Sequence, residues 1–170
     1  MAVVVISATR GQGKTSFLRE YIARAAEGGR SVGGIAAPAV FEDGRHVGYD
    51  LLDLRCGSRQ LLVRAVADHA VVRSVDAYRF DGGAVSAGHA AITAAVRDGL
   101  DAIAIDEIGP LEFRGHGWAP ALEFALRECG PDQELIVIVR SSLLPRLPER
   151  FPSPKWAAVN RISPPWPSCA

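Results

Sequence analysis

Net charge is what this chain most lacks: 19 basic residues are matched by 19 acidic ones. Without a basic field, neither nucleic acid nor an anionic membrane surface is an expected partner. Cysteine is scarce as well. Cys56, Cys129 and Cys169 are odd in number and far apart, so they offer neither a disulfide framework nor a zinc spacing, which suits a reducing cytoplasm. The four histidines, His46, His69, His89 and His116, show no ligand-like spacing and read as surface or packing residues. The start MAVVVIS is shorter than the apolar region of a secretory leader. No apolar run approaches the roughly 20 residues of a membrane span. The expectation is therefore an intracellular, soluble domain. Its 170 residues suit a single core burying roughly 70% of the unfolded surface.

What is present concentrates at the amino end. A β-branched run, Val3-Val4-Val5-Ile6, leads into a small-residue loop ending in Gly13-Lys14-Thr15. From Ala8 to Thr15 the spacing follows G-x-x-x-x-G-K-[ST], with Ala at the first position. Gly11 and Gly13 permit positive φ, so successive N–H groups can turn inward around an anion. The helix that follows points its free N–H groups and positive dipole end at the same place. The pattern assigns Ala8, Thr9, Arg10, Gly11, Gln12, Gly13, Lys14, Thr15 and Ser16 to a phosphate cradle. Lys14 reaches the outer phosphates, and the Thr15 hydroxyl ligates Mg²⁺.

Along the rest of the chain, helical spacing predicts a helix from Lys14 to Glu27, stopped by Gly28-Gly29. A strand is expected from Ser31 to Ala37, halted by Pro38. Residues 40–65 read differently, as an antiparallel meander: Val40 to Glu42, an Asp43-Gly44 turn, Arg45 to Tyr49, Leu51 to Leu54, and Gln60 to Val63. Further strands are expected at Ala77 to Phe80, Leu100 to Ile105, Leu135 to Val139 and Trp156 to Val159. Helices are expected at Ala84 to Arg97 and Ala119 to Glu128, with a short one between Leu143 and Arg150. Strands alternating with helices imply a mostly parallel α/β sheet with right-handed crossovers. Residues 1–162 form one domain with the meander inserted, and the Pro-rich tail 163–170 is not regular. Trp118, Trp156 and Trp166 read as packing residues.

The second half of the site is acidic. Ala102-Ile103-Ala104-Ile105 ends in Asp106-Glu107, and ligands of parallel sheets collect at the carboxyl ends of strands. Lying beside the loop strand, Asp106 would hold Mg²⁺; Glu107 points elsewhere and can hold or deprotonate a water. Arg140 follows a buried strand. It either contacts the terminal phosphate or leaves its head in water. Asn160, with Arg161, either borders the base, following the expected last strand, or makes an ordinary turn.

These features together resemble the thermophile-type nucleoside-triphosphatases, a family that includes the cancer-related nucleoside triphosphatase of animals. The resemblance runs from Ala2 to about Arg161. It rests on the loop ending in GKT, on Asp106-Glu107-Ile108-Gly109 with Glu112, and on Asn160-Arg161. The hairpin landmarks Gly34 to Pro38, Gly44-Arg45, Val47 to Tyr49 and Leu52 to Leu54 belong to it too. The resemblance implies a P-loop fold of the RecA/AAA type and slow Mg²⁺-dependent hydrolysis of nucleoside triphosphates with loose base preference, Glu107 being the base. The chain departs from the family pattern at Ala8, Ala37, Ala39 and Pro110, and in Arg140-Ser141-Ser142. Two other activities suit a nucleotide cradle: a kinase acting on a small acceptor, disfavoured by scattered rather than lid-like arginines, and a nucleotide-gated module for a partner protein.

Overall fold

The computed structural model describes residues 2–65 and 78–167; His69, Ala77 and Cys169 lie outside them. The chain opens with β1 (Ala2–Ala8), α1 (Lys14–Glu27) and β2 (Val32–Ala36). Next come β3 (Ala39–Glu42), β4 (Arg45–Asp53), β5 (Arg59–Ala65) and β6 (Tyr78–Phe80). The carboxyl half holds α2 (Gly82–Arg97), β7 (Ala102–Ile108), α3 (Pro110–Phe113), α4 (Ala119–Glu128), β8 (Glu134–Arg140), α5 (Leu147–Arg150) and β9 (Val159–Ile162). One sheet runs β6-β5-β4-β2-β7-β8-β1-β9, with β3 paired to β4. The segment β2-β7-β8-β1-β9 is parallel throughout, and β3 to β5 form the expected antiparallel meander at one end, which β6 extends.

The parallel strands are apolar on both faces because helices cover both. Parity decides which side chain goes where. Val3, Val5, Ile103, Ile105, Leu135 and Val137 pack with Ile92 of α2 and Leu122 of α4. Val4, Ile6, Ala102, Ala104, Ile136 and Ile138 pack with Phe17, Leu18 and Ile22 of α1. Helix α1 thus has one face of the sheet largely to itself. Continuing that alternation past the core points Ala8, Asp106 and Arg140 to the α1 side, at the carboxyl ends of β1, β7 and β8.

Four expectations are corrected. Strand β8 lies between β1 and β7, so Asp106 is not on a strand beside the loop strand. Arg45 to Tyr49 and Leu51 to Leu54 are not two strands: β4 is continuous, and a register shift against β5 between Tyr49 and Asp50 absorbs the break. There Asp50 accepts bonds from Arg59 Nε at 2.7 Å and Arg64 Nη1 at 3.1 Å. The last strand is Val159–Ile162 rather than Trp156 to Val159, because Pro154 starts a 3₁₀ turn over Pro154–Ala158. Finally, β7 begins two residues later than expected and runs on through the acidic pair to Ile108. Asp101 instead ties Ser31, accepting from its N–H at 2.7 Å and its hydroxyl at 2.6 Å.

Candidate active site

The loop between β1 and α1 is built by two left-handed glycines, Gly11 at φ 81° and Gly13 at φ 75°. Inside it the Lys14 ammonium, largely buried, donates to the Thr9 carbonyl at 3.1 Å, and the Thr9 N–H donates to Gln12 Oε1 at 2.9 Å. The loop is therefore already curled around its own polar atoms. Thr15, one residue into the helix, donates its hydroxyl to Asp106 Oδ2 at 2.8 Å across 91 positions of sequence. The reach is possible because α1 crosses the face to which Asp106 belongs, whatever strand lies between.

Asp106 is fully buried and also accepts the N–H of Ala37 at 3.0 Å and of Glu107 at 2.8 Å. Burial first, and the neighbouring Glu107 charge second, push its carboxyl up to about 7 despite those three donors. Strand β7 carries one extra residue here, since Ile105 pairs with Val137 while Ile108 pairs with Val139. The bulge puts Glu107 at φ 63°, one of two non-glycine residues with positive φ among those described. Its carboxylate thereby faces the phosphate cleft, where alternation alone would send it to the opposite face.

That cleft has a volume of about 470 Å³ and is lined by the loop, by Glu107 and Arg140, and by Arg10 and Arg19. Arg140 pairs in register with Ala8, and its guanidinium makes no hydrogen bond or ion pair among the described residues. Behind it stands Glu112. This carboxylate is buried, accepts the N–H of Gly109 at 2.8 Å and of Trp118 at 3.2 Å, and is pushed up to about 7 chiefly by desolvation. It fastens the turn after β7. Gly117, at φ 53°, leaves room for it; a Cβ there would lie 2.1 Å from Glu112 Oε1.

The structure brings Ala8, the loop through Ser16, Asp106, Glu107 and Arg140 to one place. It leaves Asn160 out. Asn160 lies inside β9 in register with Val4, four positions short of Ala8, which is roughly 13 Å along the strand. The opposite wall of the cleft carries no motif in the sequence. It is the hairpin, whose Phe41, His46 and Tyr49 stack edge to face at 5.5 and 4.7 Å between centroids. His46 Nε2 is enclosed without a hydrogen-bond partner among the described residues, and burial, then the Arg10 charge, lower its pKa, which favours the neutral ring. Pairing Phe41 with His46 around the Asp43-Gly44 turn was the available signal.

Mg²⁺ fits the donor set. A hydroxyl and a carboxylate, both hard oxygen ligands, converge beneath the phosphate cradle, and Mg²⁺ is commonly held by one or two carboxylates plus substrate phosphates. A divalent cation would also relieve the cost of ionising buried Asp106.

A strand, a lysine-bearing glycine loop and a helix whose first turn is bonded to a strand-end aspartate define the class of P-loop nucleotide-binding α/β proteins. A family model described as NTPase matches residues 3–161, and the chain belongs to that family. It is 31% identical over 122 residues to nucleoside-triphosphatase THEP1 of Methanopyrus kandleri, covering 72% of this chain and 66% of the relative. It is 32% identical over 114 residues to nucleoside-triphosphatase THEP1 of Ignicoccus hospitalis, covering 67% and 63%. The chain thus spans just under two thirds of these relatives' length. Its fold matches the solution structure of a human cancer-related nucleoside triphosphatase at a TM-score of 0.68 and 20% identity, over 96% of this chain and 90% of that one. THEP1 from Aquifex aeolicus matches at 0.68 and 17%, over 95% and 88%.

Proposed function

We propose that the chain hydrolyses nucleoside triphosphates to diphosphate and phosphate, with Mg²⁺ and loose base preference. One observation carries the reading: the Thr15–Asp106 hydrogen bond joins the cradle to the acidic strand end, and Glu107 and Arg140 line the cleft beside it. The loop N–H groups and Lys14 hold the β- and γ-phosphates, the lysine leaving the Thr9 carbonyl for them. Thr15 and Asp106 would hold Mg²⁺, which would supply charge neutralisation at the phosphates. Glu107 orients the attacking water and accepts its proton as the new bond to the γ-phosphorus forms and the bond to the β–γ bridging oxygen breaks. The departing electron pair settles on the diphosphate, and Arg140 stabilises charge developing on the transferred group. Names borne by the relatives, both nucleoside-triphosphatases, support this reading.

The test is phosphate released from ATP, GTP, CTP and UTP with Mg²⁺ and no added acceptor. The native chain turns over all four. Glu107→Gln lowers turnover by roughly 10²- to 10⁴-fold while nucleotide still binds, and Lys14→Ala loses binding. Undiminished turnover by Glu107→Gln would remove it from the mechanism.

A further inference from the structure

The tail beyond β9 does more than close the chain. Trp166 lies over the start of α1, its indole stacked on Phe17 at 4.8 Å between centroids and 14° between planes. Its Nε1–H donates to the Gln12 carbonyl of the phosphate loop at 3.0 Å. Between the tail and α1 lies a second cleft of about 450 Å³, walled by Trp166 and Pro167 on one side and by Gly13, Ser16, Glu20 and Arg24 on the other. It shares Gly13 and Ser16 with the phosphate cleft. The two clefts therefore adjoin across the first turn of α1.

Substrate polarity follows from this arrangement. Asp106, Glu107 and Arg140, on β7 and β8, mark the end of the site where the terminal phosphate reacts. A triphosphate threaded through the loop must leave it at the other end, past Ser16. The second cleft opens there, beside the tail that follows β9. We propose that this cleft is the nucleoside subsite, with the base packed against the Trp166 indole and Glu20 offering an acceptor to the sugar hydroxyls. The inference rests on the nucleotide-hydrolase reading and adds to it the residue that holds the nucleoside.

Stacking engages the face of a base, not its hydrogen-bonding edge, so it tolerates any base. A site dominated by one indole would thus be loose in base choice, with purines held more tightly than pyrimidines because they cover more of the ring.

Calorimetric titration with Mg²⁺ present separates the possibilities. The probes are ATP, GTP, CTP, UTP and inorganic tripolyphosphate, against the native chain, Trp166→Ala, Trp166→Phe and Lys14→Ala. The subsite predicts that Trp166→Ala weakens all four nucleotides by roughly five- to a hundredfold, leaves tripolyphosphate affinity unchanged, and is largely rescued by Trp166→Phe. Equal weakening of nucleotides and tripolyphosphate would make Trp166 a support of the loop alone and overturn the proposal, as would no weakening at all. Either of those results leaves the hydrolase reading standing provided Lys14→Ala abolishes binding. A native chain that binds none of the five ligands overturns both.

Discussion

Glu107 and Glu112 are two carboxylates on one short stretch, and their surroundings set them to different work. Glu107 sits in a left-handed conformation that costs an ordinary side chain on the order of 1 kcal/mol, and the bulge that imposes it turns the carboxylate into the phosphate cleft. Backbone strain of this kind clusters at active sites. Glu112 is enclosed and bonded to two backbone N–H groups, so it positions the turn. Its carboxyl is raised from 4.5 to about 7. The folded protein therefore holds that proton more tightly than the unfolded chain does. Its contribution to stability is complete below about pH 4.5 and is lost as pH climbs through about 7. Denaturant titrations across that window should show the native chain losing up to about 3 kcal/mol relative to Glu112→Gln. A difference between the two that stays flat with pH would reject the assignment. Arg140 gives the other residue-scale prediction. Arg140→Ala should lower turnover by roughly ten- to a thousandfold with little change in nucleotide affinity; an unaltered rate would make it a solvated strand end.

Among the elements, the helices divide the labour. Helix α1 carries the loop and covers the face to which Asp106 and Arg140 belong, while α2 and α4 cover the other face. Leu122 of α4 is fully buried on that far face. Leu122→Ala should cost about 2–5 kcal/mol of stability in chemical denaturation and leave KM unaltered in the folded fraction. A shifted KM would mean that the faces are not independent. Much of this layout is legible in the chain: the loop helix and the Ala-rich helix through Arg97 show 3.6-residue spacing, and the β-branched runs show as buried strands. The ends are harder to read where side chains override local pattern. Asp101 looks like part of a strand but ties Ser31, and Trp156 to Val159 looks extended but is preceded by a proline that winds it into a turn. Asn160 follows the same slip: the last strand lies three residues nearer the carboxyl end than expected and takes Asn160 inside it.

For the molecule as a whole, charge balance and local field are separate matters. The chain has no net charge, yet Lys14, Arg10, Arg19 and Arg140 gather round one cleft, with Glu107 the acidic residue among its lining. That gathering is invisible in composition because it depends on which strand ends the topology brings together. So does the order of the sheet, in which β8 separates β1 from β7. The GKT loop and the acidic pair are each readable as motifs, but their meeting is a property of the fold. Because the cleft exists only in the folded state, Mg²⁺-nucleotide should stabilise it. At a hundred times Kd the gain is about 2.7 kcal/mol, or roughly 5–10 °C in Tm for a chain of this size. Thermal melts should show that shift for the native chain and none for Lys14→Ala; an equal shift in both would place the nucleotide elsewhere.

The most direct measurement is a crystal structure with Mg²⁺ and a non-hydrolysable triphosphate. The expected result is the terminal phosphate between Lys14, Glu107 and Arg140, with the metal on Thr15 and Asp106. A triphosphate bound away from the acidic strand end, or a loop that stays curled on Thr9 and Gln12 with ligand in excess, would contradict it.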